Sequence, residues 1–233
     1  MKFNYDKAMV RRMVNRMTSI CETAQHTAQT VSTMGARIHV PGVMIGAAES
    51  FRRTEASDGQ RRICVIIDMS GSMGATWTNA GGCEFVQALR VLHRRDLLHV
   101  DCWLTGEGCC ARLNLDKVSE EQIARLKPNC GCESYSQTMT HPKVKADMDS
   151  ADVVIAWTDG QITDGDVRTA ELRRAGLDVV GAAPRHPEYV RDRPEKCEVL
   201  ADNVRRHFGR GWCGAGEQLV RHITNYIVNK EEV

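Results

Sequence analysis

From Arg61 onward, short apolar runs alternate with amphipathic stretches. The plainest run, Ile63-Cys-Val-Ile-Ile67, is uninterrupted, too short for a helix, and ends in Asp68. That is the pattern of a parallel strand buried on both faces. A helix is predicted near Cys83–Arg95, where Phe85, Val86, Leu89 and Leu92 form an apolar face, followed by strands at Leu98–Leu104 and Ala111–Leu115. Val118–Leu126 reads as a helix with Ser119 as its N-cap and Glu120-Glu121 at its positive end. The remaining pattern predicts a strand at Val153–Trp157, a helix at Val167–Ala175 stopped by Gly176, and strands at Leu177–Val180 and Val204–Phe208. Gly216–Asn229 is a closing helix. Such alternation predicts an α/β fold: a doubly wound, mostly parallel sheet with helices on both faces.

The first sixty residues have another rhythm. Met13, Met17, Ile20, Ala24, Ala28 and Val31 recur at spacings of three and four, predicting one long helix over 5–33 that stops near Gly35. Its stripe of Met and Ala suits packing on the protein's own elements, or docking of another chain. Residues 36–46 alternate and break at Pro41-Gly42, which predicts a short hairpin or edge pair. Ser50 to Gln60 is polar, contains Asp58-Gly59, and reads as a linker. The expected division is an N-terminal helix-and-hairpin extension, 1–60, and an α/β domain, 61–233.

Composition narrows the class. With 233 residues, 42% hydrophobic and 26% charged, the chain has enough apolar material for one substantial core, which argues against wholesale disorder. A net charge of +1 gives no general attraction to nucleic acid or membrane. Residues 1–62 do carry ten Lys/Arg against five Asp/Glu, read as a solvated basic face. No apolar stretch reaches the roughly 18–20 residues of a membrane span. Met1 to Met17 lacks the apolar core of an export signal, so the ten cysteines are expected as reduced thiols in a cytoplasmic protein.

The candidate chemistry lies at strand ends. Asp68-Met-Ser70-Gly-Ser72 puts a carboxylate and two hydroxyls on one tight loop at the carboxyl end of the first buried strand. In open α/β sheets ligands bind at that edge. A second buried strand ends in Thr158-Asp159-Gly160. If the two strands are parallel neighbours, Asp68 and Asp159 meet at one edge, and two such anions need a cation or a shared proton. Oxygen donors suit Mg²⁺ or Mn²⁺ better than zinc. The plainer alternative makes both aspartates turn or N-cap residues.

Asp68-x-Ser70-x-Ser72, with Thr158-Asp159-Gly160 following a later strand, resembles the von Willebrand factor A domain family and its metal-ion-dependent adhesion site (MIDAS). The resemblance covers roughly residues 61–230. It implies that Ser70 and Ser72 ligate a divalent ion directly, while Asp68 and Asp159 act directly or through water. The family's second metal loop usually carries a threonine after a glycine pair; here the segment is Gly131-Cys-Glu133-Ser134-Tyr-Ser136-Gln-Thr138. Glu133 and Ser134 are equal candidates there, with Thr138 behind them. The Asp-x-Ser-Gly-Ser-Met opening and the Val204-Arg-Arg-His-Phe208 ending are most similar to intracellular A domains paired with MoxR-type AAA+ ATPases, including cobalt-chelatase-like subunits. The resemblance therefore implies an adaptor or substrate-recognition subunit whose bound Mg²⁺ receives an acidic side chain from an ATPase partner. A metal-dependent phosphatase and a structural component, for instance of a virus particle, are the alternatives.

Other features weigh less. Cys109-Cys110 and Cys130-x-Cys132 sit in two loops that can approach each other, but their spacing is not that of a structural zinc site. His141 and His186 read as hydrogen-bonding loop residues. Arg205, Arg206, His207 and Arg210 form a basic cluster without interleaved aromatics, which argues against nucleic acid. Neither a hydrolase Gly-x-Ser-x-Gly elbow nor a phosphate-binding Gly-x-x-x-x-Gly-Lys loop occurs, so an enzyme is not expected.

Overall fold

The computed structural model describes residues 5–24, 28–32, 37–38, 51–55, 61–162 and 176–229. Strand β1 (Ala28–Ser32), β2 (Arg37–Ile38) and β3 (Phe51–Glu55) form an antiparallel sheet in the order β1-β3-β2. The main sheet has six strands: β4 (Arg62–Asp68), β5 (His99–Gly106), β6 (Cys109–Leu113), β7 (Val153–Trp157), β8 (Val179–Pro184) and β9 (Gly211–Gly214). Their spatial order is β6-β5-β4-β7-β8-β9, and only the β5–β6 pair is antiparallel. The protein is thus α/β with a six-stranded, mostly parallel sheet.

The nine helices among the described residues are α1 (Lys7–Ala24), α2 (Met73–Asn79), α3 (Gly82–Arg94), α4 (Glu120–Ala124), α5 (Tyr135–Thr140), α6 (Pro142–Asp149), α7 (Pro187–Asp192), α8 (Pro194–Phe208) and α9 (Gly216–Asn229). Because successive strand residues point to opposite faces, β4 divides its side chains between two cores. Ile63, Val65 and Ile67 pack with Met13 and Met17 of α1, Phe85 and Leu89 of α3, and Leu219 and Ile223 of α9. Cys64 and Ile66 pack with Tyr135 and Met139 of α5, Met148 of α6, and Val204 and Phe208 of α8. Each fully buried aliphatic side chain contributes about 1.5–3 kcal/mol. Residues Ile63 to Asp68 are therefore the hub of the fold.

The predicted central strands and the helices over α3 and α9 are present. Helix α4 starts at Ser119 with a full capping box: the Ser119 hydroxyl accepts the Gln122 N–H (3.1 Å), and the Gln122 side chain accepts the Ser119 N–H (2.8 Å).

Four predictions need correction. The N-terminal helix ends at Ala24, and the stripe's later members, Ala28 and Val31, lie on β1, paired with Glu55 and Arg52 of β3. Strand β3 in turn occupies Phe51–Glu55, inside the supposed linker; nothing in Phe-Arg-Arg-Thr-Glu alternates cleanly, and its two pairing partners define it. The stretch between β4 and α3, for which no element was predicted, contains α2. Val204–Phe208 is the last turn of α8, not a strand; a short apolar run fits either period. The edge strand is instead Gly211–Gly214, which has no apolar run to announce it. Its glycine is required: a Cβ on Gly211 would stand 2.3 Å from Val204 Cγ1, and one on Gly181 of β8 2.2 Å from the same atom. Strand β2 falls in the first arm of the expected hairpin but pairs antiparallel with β3; the predicted turn and second arm, and the helix at 167–175, lie outside the described residues.

Helix α1 is no free arm. Val10, Met13, Val14 and Met17 are buried in the same core as β4. Among the described residues no helix is long and apolar enough to cross a membrane.

Candidate metal centre

Strand β4 lies between β5 and β7, is parallel to both, and ends at Asp68. That position is the crevice where α/β sheets bind ligands. Past Asp68 the backbone stays anchored on both sides. Met69 N–H donates to Thr105 C=O (2.9 Å), Cys130 N–H to Met69 C=O (2.9 Å), and Gly71 N–H to Cys130 C=O (2.8 Å). Ser70 and Cys130 thus form a parallel bridge, which brings the loop before α5 beside the Asp68–Ser72 loop.

The side chains follow this backbone. Asp68 is 1% exposed; its Oδ1 accepts the Ser70 N–H (2.7 Å) and its Oδ2 the Thr158 hydroxyl (3.3 Å). Ser70 Oγ and Ser72 Oγ are 3.0 Å apart and share a hydrogen bond. Ser72 is the N-cap residue of α2 by position, yet its side chain makes no cap bond. Its hydroxyl faces Ser70 instead, as paired oxygen donors would. The register places Ile67 opposite Trp157, so Thr158 and Asp159 follow directly beside Asp68. Asp159 is buried and accepts the Gln161 N–H (2.8 Å). Each aspartate therefore does bend its own loop with one oxygen, the plainer role foreseen for it. The convergence of the two is additional.

Among the second-loop candidates the structure separates three roles. Ser134 Oγ accepts the Gly108 N–H (2.7 Å) at the β5–β6 turn. Thr138 Oγ1 shares a hydrogen bond with Thr105 Oγ1 (2.6 Å) on β5. Glu133 is 5% exposed, and its charge is felt at Asp68. Burial chiefly, then the negative charges of Asp159 and Glu133, raise the Asp68 carboxyl from 3.8 to about 6, against the opposing hydrogen bonds from Ser70. Tyr135, wholly buried, is held neutral by the same surroundings; desolvation and the Asp68 charge push its hydroxyl well above its usual value. It donates to Trp157 C=O (3.0 Å), tying α5 to the end of β7.

The donor set is oxygen only: hydroxyls of Ser70 and Ser72 beside carboxylates of Asp68 and Asp159, with Glu133 nearby. That chemistry fits a hard divalent cation that keeps several waters. It does not fit zinc, and among the described residues no three His, Cys, Asp or Glu side chains converge as a metal-holding group. The carboxylates therefore do not close into a three-acid nest; hydroxyls and water would complete a coordination sphere. Sequence reasoning missed Tyr135, Thr105 and Arg185, the last donating through its guanidinium to Asp159 C=O. Their signal is purely positional: each gains meaning only from an atom distant in sequence, a backbone carbonyl for Tyr135 and Arg185 and the Thr138 hydroxyl for Thr105. His186 accepts the Glu188 N–H (3.3 Å), as expected of a hydrogen-bonding loop residue, and Arg205 of α8 pairs with Glu198 and Asp202. A groove of about 680 Å³ between α1 and α9 is lined by other residues, including Arg12, Arg16 and Glu217.

No protein-family model and no curated protein matches the chain. Solved structures similar in part include the following two. The pilus adhesin SpaC from Lactobacillus rhamnosus GG, in its open conformation, is 12% identical over 74% of this chain and 30% of its own, with a TM-score of 0.46. Proximal thread matrix protein 1 from the mussel byssus is 14% identical over 74% of this chain and 46% of its own, with a TM-score of 0.42. The chain thus spans less than half the length of either.

Proposed function

We propose that this protein is a divalent-cation-dependent protein-interaction module, built on a doubly wound sheet of the von Willebrand factor A type and carrying a MIDAS-like site. The observation that carries the reading is the meeting of the Asp68–Ser72 loop and the Thr158-Asp159 turn at the carboxyl ends of adjacent strands, with paired serine hydroxyls at its mouth. Ser70, Ser72, Asp68 and Asp159 would hold Mg²⁺ or Mn²⁺. Glu133 would add negative charge on the side of the second loop, and Ser134 stabilises that loop through Gly108. When bound, the cation supplies positive charge and open coordination for an acidic side chain of a partner. The chain's own residues supply burial, which strengthens that charge, and a rigid frame, which directs the contact.

The Asp-x-Ser-Gly-Ser-Met motif favours a AAA+ ATPase of the MoxR type as that partner, with this chain as its non-catalytic adaptor or substrate-recognition subunit. The nine cysteines with described side chains are all free thiols, which suits a cytoplasmic setting. Two measurements test the reading. Titration with Mn²⁺, followed by electron paramagnetic resonance, is expected to show one bound ion, lost in Asp68→Ala. Pull-down of a MoxR-type AAA+ ATPase is expected with Mg²⁺ and not with EDTA. Wild-type protein that binds no Mn²⁺ at millimolar concentration would overturn the site. Pull-down insensitive to EDTA would overturn the mode of contact.

A further inference from the structure

The cysteines of the two loops meet at a place that the cation reading does not use. The β5–β6 hairpin turns at Glu107-Gly108, both at positive φ (37° and 73°), the geometry of a two-residue type I′ turn. Its tip lies on the Cys130–Cys132 loop. Glu107 N–H donates to Cys132 C=O (2.7 Å), and the Glu107 carboxylate accepts the Gly131 N–H (3.1 Å). Gly106 and Cys109 are directly opposite each other across the hairpin. A side chain on Gly106 would therefore stand beside that of Cys109, with Cβ atoms about 4.5–5.5 Å apart.

Gly106 has no side chain, and Cys130 fills the space. A Cβ built there would lie 2.6 Å from Cys130 Sγ and 2.7 Å from Cys130 Cβ. The Cys109 thiol turns to the same residue, donating to Gly106 C=O at 2.9 Å. Cys130 thus occupies the cross-strand partner position of Cys109, and disulfides need Cβ atoms about 3.5–4.5 Å apart. Forming the bond requires the Cys109 side chain to rotate away from Gly106 C=O and the Cys130 loop to move toward it.

We infer that Cys109 and Cys130 are a modification site, a thiol pair that a hydroperoxide converts to a reversible disulfide stapling the β5–β6 hairpin to the loop before α5. Cys109 is exposed and Cys130 half-buried, so the oxidant reaches Cys109 first. The Cys109 thiolate attacks the O–O bond, forming a sulfenic acid and releasing water. Cys130 sulfur then attacks the Cys109 sulfur, the S–S bond forms, and the sulfenic oxygen leaves with a proton as a second water. Two thiols lose two electrons and two protons, and hydrogen peroxide becomes two waters; a dithiol reverses the step. The staple acts where it matters, because the Cys130 backbone is what pins Met69 and Gly71 on either side of Ser70. Its formation does not depend on whether a cation binds.

The test uses the full chain, reduced and then exposed to hydrogen peroxide, with non-reducing digestion and tandem mass spectrometry. The expected result is a monomer that has lost a pair of free thiols and carries a Cys109–Cys130 linkage, reversed by dithiothreitol. The linkage disappears in Cys109→Ser and persists in Cys110→Ser and Cys132→Ser. Gly106→Ala, which displaces the Cys130 side chain, slows it. A Cys130–Cys132 linkage, an interchain disulfide, or oxidation of Cys109 without any linkage overturns the inference. Should a serine variant fail to fold, the linkage map of the wild-type chain decides alone.

Discussion

Two aspartates on adjacent strands solve the same problem in opposite ways. Asp101 of β5 is 0% exposed, and its carboxylate is met by Arg62 (Nε 2.9 Å, Nη2 2.8 Å) and by Arg112. Asp68 of β4 is 1% exposed, and among the described residues it is met by an N–H and a hydroxyl but by no cationic side chain. The Asp101 cluster carries its own counter-charge within the chain. The Asp68 cluster adds further negative charge from Asp159 and Glu133, and burial, with that charge behind it, raises the Asp68 carboxyl to about 6. A buried carboxylate without its cation destabilises the fold that holds it, so such an arrangement persists where it serves a function. The contrast teaches that burial alone does not mark a site; burial with the counter-charge left out does.

The largest expected effect breaks the paired member. Asp101→Ala takes from Arg62 and Arg112 their nearest carboxylate, leaving each only Asp147 at 3.7 Å, and removes a fully buried group, and a loss of about 3 kcal/mol is expected in urea denaturation. Asp68→Asn should do the reverse. In EDTA at pH 7 the variant is expected to be more stable than wild type by up to about 3 kcal/mol, since ionising Asp68 in its buried site is what the fold opposes. The sign follows from proton binding. Between 3.8 and about 6 the folded state holds the Asp68 proton and the unfolded state does not, so wild-type stability falls as pH rises through that window and levels off above it. Asp68→Asn flattens this dependence; a variant as unstable as Asp101→Ala would show that the two carboxylates are alike.

Adding a cation should make them differ further. At a Mg²⁺ concentration one hundred times its dissociation constant, wild type gains about 2.7 kcal/mol and Asp68→Asn gains little, as read from melting curves with and without EDTA. Equal shifts in both proteins would place the ion elsewhere. The smallest effect concerns Thr158, whose hydroxyl is one of the two donors to Asp68. Thr158→Val keeps the volume and removes both that donor and the acceptor of the Gly160 N–H (3.2 Å), with an expected loss of about 1 kcal/mol in EDTA. No change would mean that the 3.3 Å contact contributes nothing.

The legibility of the chain follows range. Strands β4 and β7 were plain because strands buried on both faces need uninterrupted apolar residues, and Val65, Ile66, Val154 and Ile155 supply them. Strands β3 and β9 were not, since Phe51–Glu55 is defined by its pairing partners and Gly211–Gly214 by the need to admit Val204. The helix over 5–33 was overextended because Ala28 and Val31 keep a spacing that a strand tolerates equally well. In the site, Asp68, Ser70, Ser72 and Asp159 were readable as short motifs at strand ends. The second loop was not: nothing local distinguishes Glu133 from Ser134 or Thr138.

By itself the sequence determined which strands are central, that two of them end in aspartate, and that two hydroxyls follow the first at a spacing of two. These are properties of neighbouring residues, and hydrophobic periodicity and turn chemistry act over a few residues. Only the tertiary structure decided that Ser134 serves Gly108 and Thr138 serves Thr105, that Glu133 is the charge felt at Asp68, and that Cys130 fills the place of a missing side chain on Gly106. Those outcomes depend on how strands from distant parts of the chain align edge to edge. Sheet register is settled by the packing of the whole core, and no short window of sequence contains it.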